Sequence, residues 1–158
     1  MGSRSSGDKG RTPAHAAHRE ALRDYLGRRT LKWTRQREAI LDIFLRTRGH
    51  LTAEEVYGRV SEREPRIGFS TVYRTLRLFV EAGVASERHF HDGVTRYEVR
   101  QPHHDHLVCV NCGKILEFER ADIERLQEEV ARTHGFRLLS HRHELYGTCA
   151  DCLSSATP

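Results

Sequence analysis

Residues 70–99 read STVYRTLRLFVEAGVASERHFHDGVTRYEV, and their pattern changes period once, at Gly83. Before it, Val72, Leu76, Phe79 and Val80 recur on one face of a helix that Ser70 opens, and the glycine is a C-terminal stop. After it, Val84–His91 and Val94–Val99 read as two strands joined at Asp92-Gly93, the pair favoured in a two-residue type I′ hairpin turn. Upstream, Thr52 and Glu55 form a capping-box signature for a helix with Val56 and Val60 inward, which Pro65 and Gly68 break. Thr34 caps an earlier helix carrying Ala39, Ile40, Ile43 and Phe44, and Gly49 stops it. A short helix over Ala17–Leu26, with Leu22, Tyr25 and Leu26 on one face, precedes that and ends at Gly27. Short helices followed by a hairpin are the order of a winged helix-turn-helix.

Gln101-Pro102 is the expected hinge, over residues 101–103. Beyond it come a strand (His104–Val108), a Cys109-x-x-Cys112 knuckle and a strand over Lys114–Phe118. A helix over Asp122–His134, with Ile123, Leu126 and Val130 inward, stops at Gly135, and a strand over Arg137–Tyr146 delivers Cys149-x-x-Cys152. A β-β-α-β unit of this size buries little core alone, so it is expected to pair with a copy of itself. The fold class is therefore α+β. A winged-helix DNA-binding domain (17–100) precedes a small α/β metal-binding dimerisation domain (104–153). The polar leader (1–16) and the tail (154–158) are expected to be disordered.

At 158 residues the chain carries no run of 18 apolar residues and no signal-peptide core, so a membrane span or export is not expected, and a cytoplasmic location is. The net charge of +4 is unevenly spread. Residues 1–103 hold 20 Lys and Arg against 13 Asp and Glu, about +7, whereas residues 104–158 hold 6 against 9, about −3. A basic half suits a polyanion; an acidic half suits cations or another subunit.

All four cysteines lie in the two Cys-x-x-Cys pairs. Two such loops can complete a tetrahedral shell of four thiolates, Cys109, Cys112, Cys149 and Cys152, which suits Zn(II) held for structure. Directly upstream runs His103-His104-Asp105-His106, more ligands than a structural knuckle needs. If this run is extended, His103 and Asp105 point one way and His104 and His106 the other, so one tetrapeptide could serve two sites. Partners available elsewhere are His50, Glu98, Glu117, Glu124 and His141, and spacing alone does not assign them. His89, His91, His134 and His143 read as ordinary surface residues. For nucleic acid, Ser70, Thr71, Tyr73, Arg74 and Arg77 face outward on the helix before Gly83 and suit phosphates and purine edges. Lys32, Arg35 and Arg37 could clamp backbone phosphates at the start of an earlier helix.

Three segments carry a resemblance: Phe69-Ser70-Thr71-Val72-Tyr73-Arg74-Thr75-Leu76, then the His103–Lys114 run, then Tyr146-Gly147-x-Cys149-x-x-Cys152. In order and separation they resemble the ferric uptake regulator family, from about Leu31 to Cys152. The resemblance implies a homodimeric, metal-activated repressor on double-stranded, palindromic operator DNA, and leaves open whether two dimers form a tetramer. It implies structural zinc at the four cysteines, and a sensing site between the domains at His50, Glu98, His104, His106 and Glu117. It implies an additional site at His103, Asp105, Glu124 and His141. Tyr73 and Arg74 match its DNA-reading helix, and Lys32 a minor-groove lysine. One departure is that Glu98 to His103 is a residue shorter than in well-known iron-sensing members and contains Pro102.

Peroxide-sensing relatives tend to carry Asp where this chain has Glu98 and Glu117, and zinc-sensing relatives often use a Cys among the sensing ligands. The resemblance thus leans toward regulatory Fe(II) and control of metal-uptake genes, with Mn(II), Zn(II) or Co(II) as substitutes. A metallohydrolase is the enzyme alternative, since His/Asp clusters can generate hydroxide. No His-Glu-x-x-His occurs in this sequence, however, so the expectation is a regulator, not an enzyme.

Overall fold

The computed structural model describes residues 13–90, 92–101 and 103–155, and the chain divides into two units, Met1–Arg100 and Gln101–Pro158. The first unit holds helices α1 (Pro13–Arg28), α2 (Arg35–Leu45), α3 (Ala53–Arg63) and α4 (Phe69–Glu81), then strands β1 (Ala85–His89) and β2 (Thr95–Val99). The local rules behind them are visible. Thr34 caps α2 by accepting the Arg37 N–H, and Thr52 and Glu55 exchange both bonds of a capping box on α3. Leu22 and Leu26, Ile40, Leu41 and Phe44, Val56 and Val60, and Val72, Leu76 and Phe79 bring one apolar face from each helix into a common core. Phe44 and Phe79 meet there with ring centroids 5.7 Å apart.

Several boundaries differ from those the sequence suggests. Helix α1 begins at Pro13, so Pro13–Ala16 belong to a helix and not to a leader; proline is favoured in a first helical turn, whose N–H groups have no helical acceptor. Residues 1–12 and 156–158 lie outside the described residues, while Ser154 and Ser155 end helix α6 (Ala150–Ser155). Helix α4 starts at Phe69 with Gly68 as N-cap, and Thr75 is buried where Val80 was expected to be, its hydroxyl satisfied by the Thr71 carbonyl at 2.7 Å.

The hairpin turn also differs. A two-residue turn at Asp92-Gly93 would set Glu98 opposite Glu87, but the register pairs Glu98 with Ser86 and Arg88 with Arg96. The Gly93 N–H bonds the Phe90 carbonyl at 3.0 Å, Gly93 takes φ +70°, and Asp92 accepts the Val94 N–H at 3.0 Å. One extra loop residue moves every side chain of a strand to the other face relative to its partner; here it separates Glu87 from Glu98 and sets Arg88 opposite Arg96, which pair instead with Glu98 and Asp92.

The second unit holds β3 (Asp105–Cys109), β4 (Ile115–Phe118), α5 (Ala121–Thr133), β5 (Glu144–Gly147) and α6. Its sheet has the order β4-β3-β5, antiparallel on one side of β3 and parallel on the other. Only Glu144–Gly147 of the expected last strand pairs; residues 137–143, with adjacent Leu138 and Leu139, lack the alternation a strand needs and stay irregular. Leu126 and Val130, expected inward on α5, are 54% and 59% exposed in the single chain. On one register row across the three strands, Leu116, Leu107 and Leu145 are exposed as well. An apolar helix face and an apolar sheet row are thus left uncovered, which a lone soluble unit rarely tolerates.

Candidate metal centres and nucleic-acid interface

The two Cys-x-x-Cys loops meet because β3 leads into the first, β5 leads into the second, and the two strands are parallel neighbours. The Val110 N–H bonds the Gly147 carbonyl at 2.9 Å, which ties the loops together at their bases. Four thiolates about 2.3 Å from a tetrahedral ion stand about 3.8 Å from one another. The sulfur separations are 3.9 Å for Cys109–Cys152 and 3.7 Å for Cys112–Cys149, and all four lie within 4.8 Å of one another. The donor set and its dimensions fit a closed S4 site.

Protonation follows the same geometry. Backbone N–H groups of Cys149 and Cys112 hold the Cys109 thiol down at about 6. Hydrogen bonding to Cys112 and Cys149, then burial, pushes Cys152 up to about 12. The two thiols are thus pushed in opposite directions, because like charges this close cannot all ionise.

A second cluster sits on the face of β3 that carries Asp105. His103 Nε2 lies 3.2 Å from Asp105 Oδ1 and 3.3 Å from Glu124 Oε1, and His141 Nε2 lies 3.2 Å from Glu124 Oε2. His103 and His141 Nε2 approach to 2.7 Å. Ligand atoms about 2.1 Å from one ion are spaced about 3.0–3.4 Å, so this all nitrogen and oxygen set also fits a cation. His143, which the sequence offered no reason to single out, places Nδ1 3.3 Å from Asp105 Oδ2 and so occupies that carboxylate's second oxygen.

On the other face of β3, His104 and His106 stack edge to face with ring centroids 4.8 Å apart. The register sets Glu117 directly across from His106, on the same face. The alternation read from the sequence thus divides the tetrapeptide between two sets, as His103/Asp105 and His104/His106.

The first unit contributes a pair of its own. Leu51 and Tyr97 form an antiparallel bridge, N–H to carbonyl at 3.0 and 2.7 Å, which draws the loop before α3 onto β2. Their neighbours His50 and Glu98 are thereby brought together, Nε2 to Oε2 at 2.8 Å. Glu98 is only 2% exposed, and Arg88 donates from Nε to its other oxygen at 2.8 Å. Sequence reasoning missed Arg88, because the two-residue turn it assumed gives the wrong diagonal neighbours across the hairpin.

The helix α4 exposes Ser70, Tyr73, Arg74 and Arg77, with Thr71 half-buried. Tyr73 stacks on Phe69 at 6.4 Å, and Phe69 meets Tyr57 edge to face at 5.7 Å, so this exposed side of α4 is held by rings at its base. Between α2 and α4 runs an open cleft of about 530 Å³ lined in part by Thr34, Arg37, Thr71, Arg74 and Arg77. Lys32 and Arg35 are exposed. Arg37 is half-buried and donates to the Lys32 carbonyl, while Arg77 lies 3.7 Å from Glu87, so both are partly committed within the protein.

A basic winged helix, followed in the chain by a small sheet bearing two compact ligand clusters, defines a metal-responsive DNA-binding regulator. The chain belongs to the ferric uptake regulator family, whose model matches residues 28–146; proteins of this family are transcriptional regulators, not enzymes, and are dimeric. It is 43% identical over 136 residues to the ferric uptake regulation protein of Campylobacter jejuni, covering 84% of this chain and 87% of that one. The Helicobacter pylori ferric uptake regulator, described as having three functional metal-binding sites, superimposes with a TM-score of 0.84 at 30% identity, over 96% of this chain and all of that one. A zinc-bound manganese uptake regulator matches with a TM-score of 0.65 at 42% identity, over 82% of this chain and 98% of that one. No helix among the described residues is long and apolar enough to cross a membrane.

Proposed function

We propose that this regulator is a homodimeric repressor that senses Fe(II) and controls metal-uptake genes through a palindromic operator. The observation that carries the reading is the His50–Glu98 pair: the DNA-binding unit bears its own buried nitrogen and oxygen ligands, 2.8 Å apart. With His104, His106 and Glu117 they make an all nitrogen and oxygen set, suited to exchangeable Fe(II), Mn(II), Zn(II) or Co(II), whereas the four cysteines suit a retained Zn(II). His103, Asp105, Glu124 and His141 form the additional site.

In this reading the bound cation supplies a charge that both carboxylates and imidazoles can share, and its ligands belong to both units. A cation favouring one arrangement of the units shifts the population toward it. Moving from 1:99 to 99:1 takes about 5.5 kcal/mol of differential affinity, within reach of several ligand bonds. The arrangement so selected fixes the separation of two α4 helices in a dimer, and operator half-sites demand a fixed separation. The exposed Leu107, Leu116, Leu145, Leu126 and Val130 support pairing through the second unit. Ser70, Thr71, Tyr73, Arg74 and Arg77 read and grip the DNA, with Lys32, Arg35 and Arg37 on the backbone.

Manganese is the second reading, favoured by the manganese uptake regulator among the structural relatives. The test is operator binding by zinc-only protein titrated with Fe(II), Mn(II), Co(II) and Zn(II), with metal content measured in parallel. Fe(II) should act at the lowest free concentration. His50→Ala and His104→Ala should each weaken metal-dependent binding while leaving one zinc per chain. Unchanged metal dependence in both variants would remove the switch.

A further inference from the structure

We propose that Arg88 is a built-in counter-ion of the sensing site, which sets both the metal concentration at which the site loads and the way Glu98 binds the ion. This rests on the reading that Glu98 is a ligand of the exchangeable cation. Arg88 stands on β1 and Glu98 on β2, diagonal neighbours across the hairpin, because the register sets Arg88 opposite Arg96 and Glu98 opposite Ser86. The neighbouring charges have partners of their own. Arg96 pairs with Asp92 at 2.7 Å, and Glu87 lies between Arg77 at 3.7 Å and His89 at 3.6 Å.

Both oxygens of the Glu98 carboxylate are engaged. Oε1 accepts from Arg88 Nε at 2.8 Å, and Oε2 faces His50 Nε2 at 2.8 Å. A guanidinium does not lose its proton, so this partner is a permanent positive charge at every physiological pH. Burial of the carboxylate strengthens the effect, since water screens little of the attraction there. Two consequences follow. A divalent ion entering at Oε2 shares one negative charge with a resident cation, which weakens its hold. With Arg88 drawing on Oε1, binding of Glu98 through Oε2 alone is favoured, which suits ions content with few ligands over those that seek a chelating carboxylate.

Arg88 is therefore a specificity-determining residue, and no ligand-spacing argument points to it. The test uses full-length, zinc-retaining protein and Co(II) as the probe, read by its visible d–d absorption and by direct titration. Arg88→Met should tighten Co(II) binding by roughly tenfold or more, the scale on which partners of metal ligands act. Its d–d bands should weaken as Glu98 becomes bidentate and the coordination number rises. Arg88→Lys keeps the charge and should bind within a fewfold of the parent. In the parent protein, the Arg88 15Nε–1Hε resonance should show a paramagnetic shift on loading, which serves if Arg88→Met fails to fold. Unchanged or weaker Co(II) binding in Arg88→Met, or an unmoved Arg88 resonance in the parent, overturns the proposal. Glu98→Gln and His50→Ala separate the two levels. If neither alters Co(II) binding, the sensing-site reading fails. If both abolish it and Arg88→Met does not tighten it, the site stands and the counter-ion role falls.

Discussion

Single residues decide where the ligands stand, often without being ligands. Thr52 shows this. Its hydroxyl accepts the Glu55 N–H at 3.2 Å and its own N–H is taken by Glu55 Oε2 at 2.8 Å, so the start of α3 is closed on both sides. The residue immediately before it, Leu51, is the one that bridges to Tyr97, and His50 precedes that. Thr52→Ala should cost about 1 kcal/mol of stability, read as a lowered midpoint in urea unfolding of the metal-free protein. The capping box was legible in the sequence because its signature is local. The His50–Glu98 pair rested on family resemblance alone, since it arises from a bridge between residues 46 positions apart. Arg88 and His143 were not legible at all: each matters through a carboxylate on another segment of the chain, Glu98 or Asp105, and an arginine or histidine is ordinarily a surface residue.

At the scale of elements, helices were read more accurately than strands and turns. Helical faces repeat over eleven or more residues, and most of each stripe was found: α2 also buries Leu41 and Leu45 and leaves Ala39 half-buried, α3 also buries Ala53, and α4 buries Thr75 in place of Val80. The hairpin was recognised from Asp92-Gly93, but its loop length was not, and a single residue of loop changes the whole register. Asp92 shows why the longer loop is stable. Its carboxylate takes the Arg96 guanidinium at 2.7 Å and the Val94 N–H at 3.0 Å. Arg96 first, then that N–H, holds its pKa below the usual carboxylate value. A depressed folded-state pKa means the contribution is complete above the unfolded-state value, about 3.9, and is lost as pH falls through the folded-state value. Amide exchange at Val94 and Thr95 should therefore be pH-independent in protection from neutrality down to about pH 5, and protection should fall below about pH 4. Asp92→Asn should show reduced protection at neutral pH and no further acid step. An acid step of equal size in that variant would assign the effect to another group.

For the molecule as a whole, the two units differ in how much core each supplies for itself. The first unit has its own core, drawn from four helices and the wing. The second has almost none, for α5 buries no residue and Leu126, Val130 and Leu116 are each more than half exposed. The sequence assigned Ile123, Leu126 and Val130 to the inside from their spacing, whereas in the single chain α5 buries none of its residues. A helical face is legible from one chain; what it packs on is not, when the partner is another copy. Burying a leucine is worth roughly 1.5–3 kcal/mol, so introducing a charge on this face should undo assembly before it undoes the fold. Leu126→Glu should shift the protein from dimer to monomer in sedimentation velocity at micromolar concentration. Four-thiolate zinc content should stay at one per chain, because the two knuckles are joined within a chain through β3 and β5. Operator binding should fall with the dimer, since a lone reading helix loses the second half-site whatever the metal concentration. If Leu126→Glu remains dimeric, the contact lies elsewhere, and the uncovered Leu107, Leu116 and Leu145 row becomes the place to substitute next.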